Sequence, residues 1–204
     1  MLNALSLELA EMAARHIAEE GLTYAQAKRK AAKQAGIAEH NAQMPDNSTI
    51  EQALRDYLAE HYADSHPDLL HGLRQTAVKW MQWLENLAGS GVQARCLVTG
   101  AVVNGTATEW SAVHLQVFTE DSKFLEMALL NRGLNVDASE QAIAGQMRPV
   151  IVVQDQGLPI VMTLMPAVDY RPAKTIGAAI GAAGVQQYAN RVQLQALCDG
   201  SVQS

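Results

Sequence analysis

Residues 99–118 read TGAVVNGTATEWSAVHLQVF, and the fold turns on this stretch. Val113, Leu115 and Val117 alternate with more polar neighbours, which is the period of a strand with one apolar face. Just upstream, VQARCLVTG (92–100) alternates in the same manner. The link between them, Ala101–Thr108, is short and contains Gly105, leaving room for a turn or a brief helix. Downstream, Asp121 or Ser122 can cap a helix through Leu130 that ends near Gly133. PVIVV (149–153) and LPIVMTLM (158–165) then flank Asp155-Gln156-Gly157, a hairpin signal with Asp155 in the turn beyond the sheet edge. The predicted order is strand, short helix or turn, strand, helix and two more strands, forming a mixed sheet. From Tyr170 the tail holds Pro172, the glycine-rich GAAIGAAG (177–184) and a last helix around Val185–Leu197.

Working outward from that core, residues 1 to about 88 carry a helical period. Leu2, Leu5, Leu9, Met12 and His16 recur at three- and four-residue steps until Gly21. Thr23 and Gln26 have capping-box spacing before a helix from Tyr24 to about Ala35, and Ser48 and Glu51 repeat that spacing before a third helix. There Ile50, Leu54, Tyr57, Leu58 and His61 share a face. Pro67 and Asp68 suit the first turn of a fourth helix lined by Leu70, Leu73, Ala77, Trp80, Met81, Leu84 and Leu87. The expected fold class is therefore α+β: a helical domain over 1–88 and an α/β domain over 89–204.

The quoted stretch resembles the signature of the DNA polymerase beta-like nucleotidyltransferase superfamily over about residues 92–165. Members of that family carry Gly-Ser at the end of a first strand, and about ten residues later two aspartates, one residue apart, on a second. A third carboxylate lies on a later strand. In this chain Gly100-Ala101 takes the Gly-Ser place, and Ser111-Ala112-Val113-His114-Leu115 takes that of Ser-Asp-Ile-Asp-Leu. The resemblance implies a nucleotidyltransferase-like domain with a cleft near Gly100, Ala101, Asn104, Gly105, Ser111 and His114, which become the candidate ligand-binding residues.

The chemistry of that signature shows what this chain lacks. Nucleotidyl transfer in the family uses two divalent cations, generally magnesium, which require hard oxygen ligands. Aspartates at i and i+2 on a strand point to one side and can reach one metal pair. Here those positions are Ala112 and His114; alanine offers no ligand, and imidazole suits magnesium poorly. The later strand offers Thr163 but no acid. The expectation is a degenerate site with no catalytic residues and no cofactor, magnesium entering only if Glu120, Asp121 or Asp155 were rearranged into an active centre.

Composition narrows the partners. The 204 residues are 49% hydrophobic and 18% charged, with a formal net charge of -6, so general attraction to nucleic-acid phosphates is not expected. A nucleotide or a protein partner is expected instead. The alanine-rich helices also suggest a homodimer or a helical interaction module. Cys96 and Cys198 form no CxxC pair and read as reduced thiols, which with an amphipathic N-terminal helix in place of a signal peptide, and no membrane span, implies a cytoplasmic protein. His61, His66 and His71 lack metal-ligand spacing. Lys28, Arg29, Lys30 and Lys33 read as a solvated helix end, and Trp80, Trp83 and Trp110 are too scattered for a stacking platform.

Overall fold

The computed structural model describes residues 4–38, 44–87, 94–143, 145–171 and 187–200. The predicted glycine-rich segment 177–184 lies outside them. The chain divides into two compact units, Met1–Leu70 with Gly105–Ser111, and His71–Asn104 with Ala112–Ser204.

The first unit contains α1 (Ala4–Glu20), α2 (Tyr24–Gln34), α3 (Asn47–His61) and the start of α4 (His66–Asn86). Its core joins Leu9, Ala13 and Ile17 of α1 to Ala27 and Ala31 of α2 and to Ile50, Leu54 and Leu58 of α3. Alanine at the α1–α2 contact lets the two backbones approach closely. Thr23 and Gln26 form the expected capping box, the Thr23 backbone N–H donating to Gln26 Oε1 at 2.9 Å. The cap of α3 is not the predicted Ser48. Asp46 holds that place, accepting from the Thr49 backbone N–H at 2.7 Å and from the hydroxyls of Ser48 and Thr49. A carboxylate suits the positive end of the helix better than a hydroxyl does, so serine becomes a donor to the cap. The predicted apolar position His16 is a buried polar bridge: its ring nitrogens meet Glu20 at 2.8 Å and Gln34 at 2.9 Å, linking α1 to α2.

The second unit is built on a six-stranded sheet, so the fold is α+β, with a helical N-terminal part followed by a mixed sheet. The strands are β1 (Arg95–Thr99), β2 (Val113–Phe118), β3 (Val136–Ile143), β4 (Gln146–Asp155), β5 (Leu158–Met165) and β6 (Tyr188–Ala189), in the order β3-β4-β5-β2-β1-β6. Only β2 and β5 run parallel. The chain forms α5 (Ala101–Asn104) between β1 and β2 and α6 (Ser122–Asn131) between β2 and β3, and α7 (Arg191–Cys198) follows β6. Asp121 caps α6 as expected, accepting from the Phe124 N–H at 2.8 Å.

Three sequence expectations are corrected here. The helix α6 is followed by three strands, because β3 pairs with β4 along its whole length. Asp155 is the last residue of β4, paired with Leu158, rather than lying past the sheet edge. The last helix begins at Arg191, capped by Asn190, after the two-residue strand β6. Pro149 explains why β5 joins β4 only from Val150 onward: a proline has no N–H to offer a strand on that side.

Register sorts the sheet into two faces. Val98, Val113, Leu115, Val117, Ile160 and Met162 lie on one, all nearly inaccessible. Thr99, His114, Gln116, Val161 and Thr163 lie on the other, which is the more open. At its far end Phe118 is covered by the ring of Tyr170, 5.2 Å away.

Candidate functional site

The expected cleft residues fall in both units. Gly100, Ala101, Asn104, Ala112 and His114 belong to the second, Gly105 and Ser111 to the first. In the second unit, Thr99 at the end of β1 is the direct partner of His114 on β2. The chain then turns at Gly100, whose φ of +74° is one that residues with a Cβ adopt at a cost. The Gly100 carbonyl accepts from the backbone N–H groups of Val103 at 2.9 Å and Asn104 at 3.1 Å, closing α5 in four residues. Gly100 and Ala101 thus stand at the sheet end that also carries His114. Asn104 is buried and hydrogen-bonded.

The far end of α5 is held by a side chain that sequence reasoning missed. Arg74 Nε donates to the Val102 carbonyl at 3.0 Å and Nη2 to the Val103 carbonyl at 3.3 Å. A cation there satisfies carbonyls left open by so short a helix. Burial lowers the Arg74 pKa from its ordinary value.

The loop carrying Gly105 and Ser111 is organised within the first unit. His66 Nε2 meets the Ala107 carbonyl at 2.9 Å, which makes that nitrogen the donor. Ser111 Oγ accepts from the Thr108 N–H at 2.9 Å, so its hydroxyl closes a local turn. Trp110 lies against Gly21, where a Cβ would come within 2.6 Å of the indole.

Strand register decides what the open face can hold. The row through His114 runs Thr99, His114, Val161, Val152, Asp137 across five strands, and the next runs Leu97, Gln116, Thr163, Val150, Ser139. Ala112 precedes the first residue of β2. The carboxylate that shares a row with His114 is Asp137, three strands away, or about 14 Å at the usual strand spacing. Magnesium sits about 2.1 Å from its oxygens, so this spacing cannot bring Asp137 and the His114 position onto one ion. Alanine, histidine, valine and threonine at these points do not fit a pair of hard cations. His114 is exposed, yet the protein atoms crowding its ring displace water and lower its pKa from the ordinary histidine value.

The three acids that could have substituted are engaged elsewhere. Asp121 caps α6. Glu120 accepts from the Ala167 N–H at 2.8 Å. Both follow Phe118, four residues beyond His114 along β2, or about 13 Å. Asp155 shares the parity of Val153 and so belongs to the covered face, opposite His114, where Trp80 Nε1 donates to its Oδ2 at 2.6 Å. This indole contact was the second feature hidden from the sequence.

The remaining candidates have plain structural partners. The His61 ring packs, tilted by 50°, against that of Tyr57 at 4.3 Å, His71 bonds Gln75 at 2.8 Å, and Lys30 pairs with Glu20 at 2.5 Å. Among the described residues, no group of three or more His, Cys, Asp or Glu side chains is arranged to hold a metal ion. No helix among them is long and apolar enough to cross a membrane.

No family model matches this chain, and no curated protein matches it. Among solved structures it is similar to Cid1, described as having RNA terminal uridylyl transferase activity, with 14% identity and a TM-score of 0.34. The similarity covers 55% of this chain and 36% of that one, so it spans little more than a third of Cid1's length. An overlap this slight carries no residue across.

Proposed function

We propose that this chain is a nucleotidyltransferase-like protein that has lost metal-dependent nucleotidyl transfer and serves as a binding or interaction module. The observation that carries the reading is the row Thr99, His114, Val161, Val152, in which four adjacent strands present no carboxylate where the family's chemistry needs three. Without converging acidic oxygens, neither the attacking hydroxyl nor the triphosphate can be clamped by paired magnesium ions. Glu120, Asp121 and Asp155, the acids of the active alternative, are drawn away by the Ala167 backbone N–H, a helix cap and an indole. Gly100, Ala101, Asn104 and His114 remain the residues on which a nucleotide would rest in the second unit.

The interaction alternative keeps one specific support. Ala10, Ala13, Ala14 and Ala18 of α1 and Ala27 and Ala31 of α2 pack inside the first unit, so their close contacts lie within the chain. The groove between α1 and α3, about 520 Å³ and lined by Leu7, Met12, Ala53 and Tyr57, is where a partner would meet this unit.

Calorimetric titration of ATP, with and without magnesium, tests the main reading. The expected isotherms are the same in both conditions. Binding about ten-fold tighter with magnesium, and returned to the metal-free value by chelation, would overturn it.

A further inference from the structure

On the covered face of the sheet, opposite His114, a cavity of about 420 Å³ opens beside the β4–β5 turn. Its volume is within the usual range of small-ligand pockets. Thr76, Lys79 and Trp80 of α4 form one wall, Arg132 after α6 another, and Asp155 and Gln156 the floor and rim.

The charges in this cavity are not mutually satisfied. Arg132 and Lys79 make no ion pair or side-chain hydrogen bond among the described residues, whereas Asp155 has one oxygen engaged by the Trp80 indole. The Arg132 guanidinium is instead held over aromatic faces, 4.7 Å from the Trp83 centroid and 5.2 Å from that of Trp80. The two indoles are themselves locked edge to face at 5.5 Å. A planar fork fixed in this way presents its donors with little ordering left to lose on binding. Gln156, on the rim, is the described non-glycine residue with positive φ, at +53°, in a two-residue turn that favours Asn, Asp or Gly. Local strain of this kind is retained where the surrounding structure holds it, and a binding rim is such a place.

We propose that this cavity binds a small phosphate ester bearing a free hydroxyl. Lys79 and Arg132 hold the phosphate, and the second oxygen of Asp155 accepts the hydroxyl. A phosphate has oxygens enough to meet both unpaired cations at once, while Asp155, of like charge, is left to the neutral hydroxyl end of the ester. The site is independent of the open face and of the reading drawn from it.

The test uses ribose 5-phosphate as probe, with inorganic phosphate, ribose and gluconate as comparators. Affinity is read by calorimetry, and location by tryptophan fluorescence, since an anion bound to the guanidinium held over the indoles changes the local field and so their emission. Saturable binding of ribose 5-phosphate is expected, with a fluorescence change. Lys79→Gln and Arg132→Gln, both at exposed side chains, should each weaken it about ten-fold or more; Lys79→Gln should leave thermal unfolding unchanged, whereas Arg132→Gln also gives up its contacts with the indoles and lowers the midpoint slightly. Asp155→Asn should tighten inorganic phosphate by removing a like charge, yet reduce the advantage of the ribose ester over it. The proposal is overturned by absence of saturable binding at about 10 mM probe, a concentration that detects even millimolar affinity. It is equally overturned by unchanged affinity in both cation variants, or by ribose or gluconate binding as tightly as the ester.

Discussion

Replacing Gly21 by alanine probes the local packing that fixes the Gly105–Ser111 loop, and Gly36 supplies the control. Both glycines end helices in the left-handed region, at φ +67° and +69°. A Cβ at Gly36 meets nothing within 4 Å, so Gly36→Ala carries the backbone penalty alone. That penalty is about 1–2 kcal/mol, offset by about 0.4–1 kcal/mol from the stiffer unfolded chain. A Cβ at Gly21 would lie 2.6 Å from Trp110 Cγ, 2.8 Å from its Cβ and 2.9 Å from its Cδ2. Turning the indole relieves two of these contacts. The third persists until the loop backbone moves, and that backbone is tied down by the His66–Ala107 and Thr108–Ser111 hydrogen bonds. Overpacking of this kind costs about 1–3 kcal/mol beyond the backbone penalty. Urea unfolding followed by far-UV circular dichroism should therefore show Gly21→Ala less stable than Gly36→Ala by that margin. A double-mutant cycle with Trp110→Gly, which removes all three contacting atoms, should return a coupling energy of about the same size. Equal stability of the two alanine variants, or a coupling near zero, refutes the reasoning.

Two further outcomes follow from titratable groups. The Tyr57 hydroxyl donates to Glu19 at 2.7 Å, and the adjacent carboxylate raises the phenol pKa to about 12. Because the folded value is the higher one, this contribution to stability is complete below the ordinary phenol range near 10 and lost as pH rises through about 12. A difference titration of phenolate absorbance between the parent and Tyr57→Phe should show a tyrosine ionising near 12, which Glu19→Gln returns toward 10; a Tyr57 transition already near 10 in the parent contradicts the hydrogen bond. Cys96 is 2% exposed and burial pushes its thiol pKa well up, whereas Cys198 is only partly covered. Under native conditions a thiol reagent should label Cys198 first and Cys96 only on unfolding, as mass spectrometry of timed samples will show; prompt labelling of Cys96 contradicts its burial.

Much of the fold was legible because one physical signal, the burial of alternate side chains, governs β2 and β5, while β1 is covered on both faces over Cys96–Val98 and reads as a short apolar run. The same signal fails for β3, VDASEQAI, an edge strand exposed along most of both faces, so that nothing selects apolar residues at every second place. Local caps were readable at Thr23 and Asp121, where the partner lies three residues away. At Asp46 and Ser48 two competent side chains compete, and only electrostatics at the helix end decides between them. For the candidate site, strand parity alone places Ala112 and His114 on one side and sets the question of missing acids. Arg74 and the Trp80–Asp155 contact had no such local trace, since their partners lie 28 and 75 residues away and meet only in the folded chain.

The central claim is that the open face of this sheet lacks the oxygens needed to hold paired metal ions. The most direct measurement is incubation of the full chain with labelled nucleoside triphosphates, magnesium or manganese, and RNA, DNA and protein acceptors. The account predicts no incorporation above a protein-free blank. Incorporation that requires the metal and disappears with chelator would contradict it.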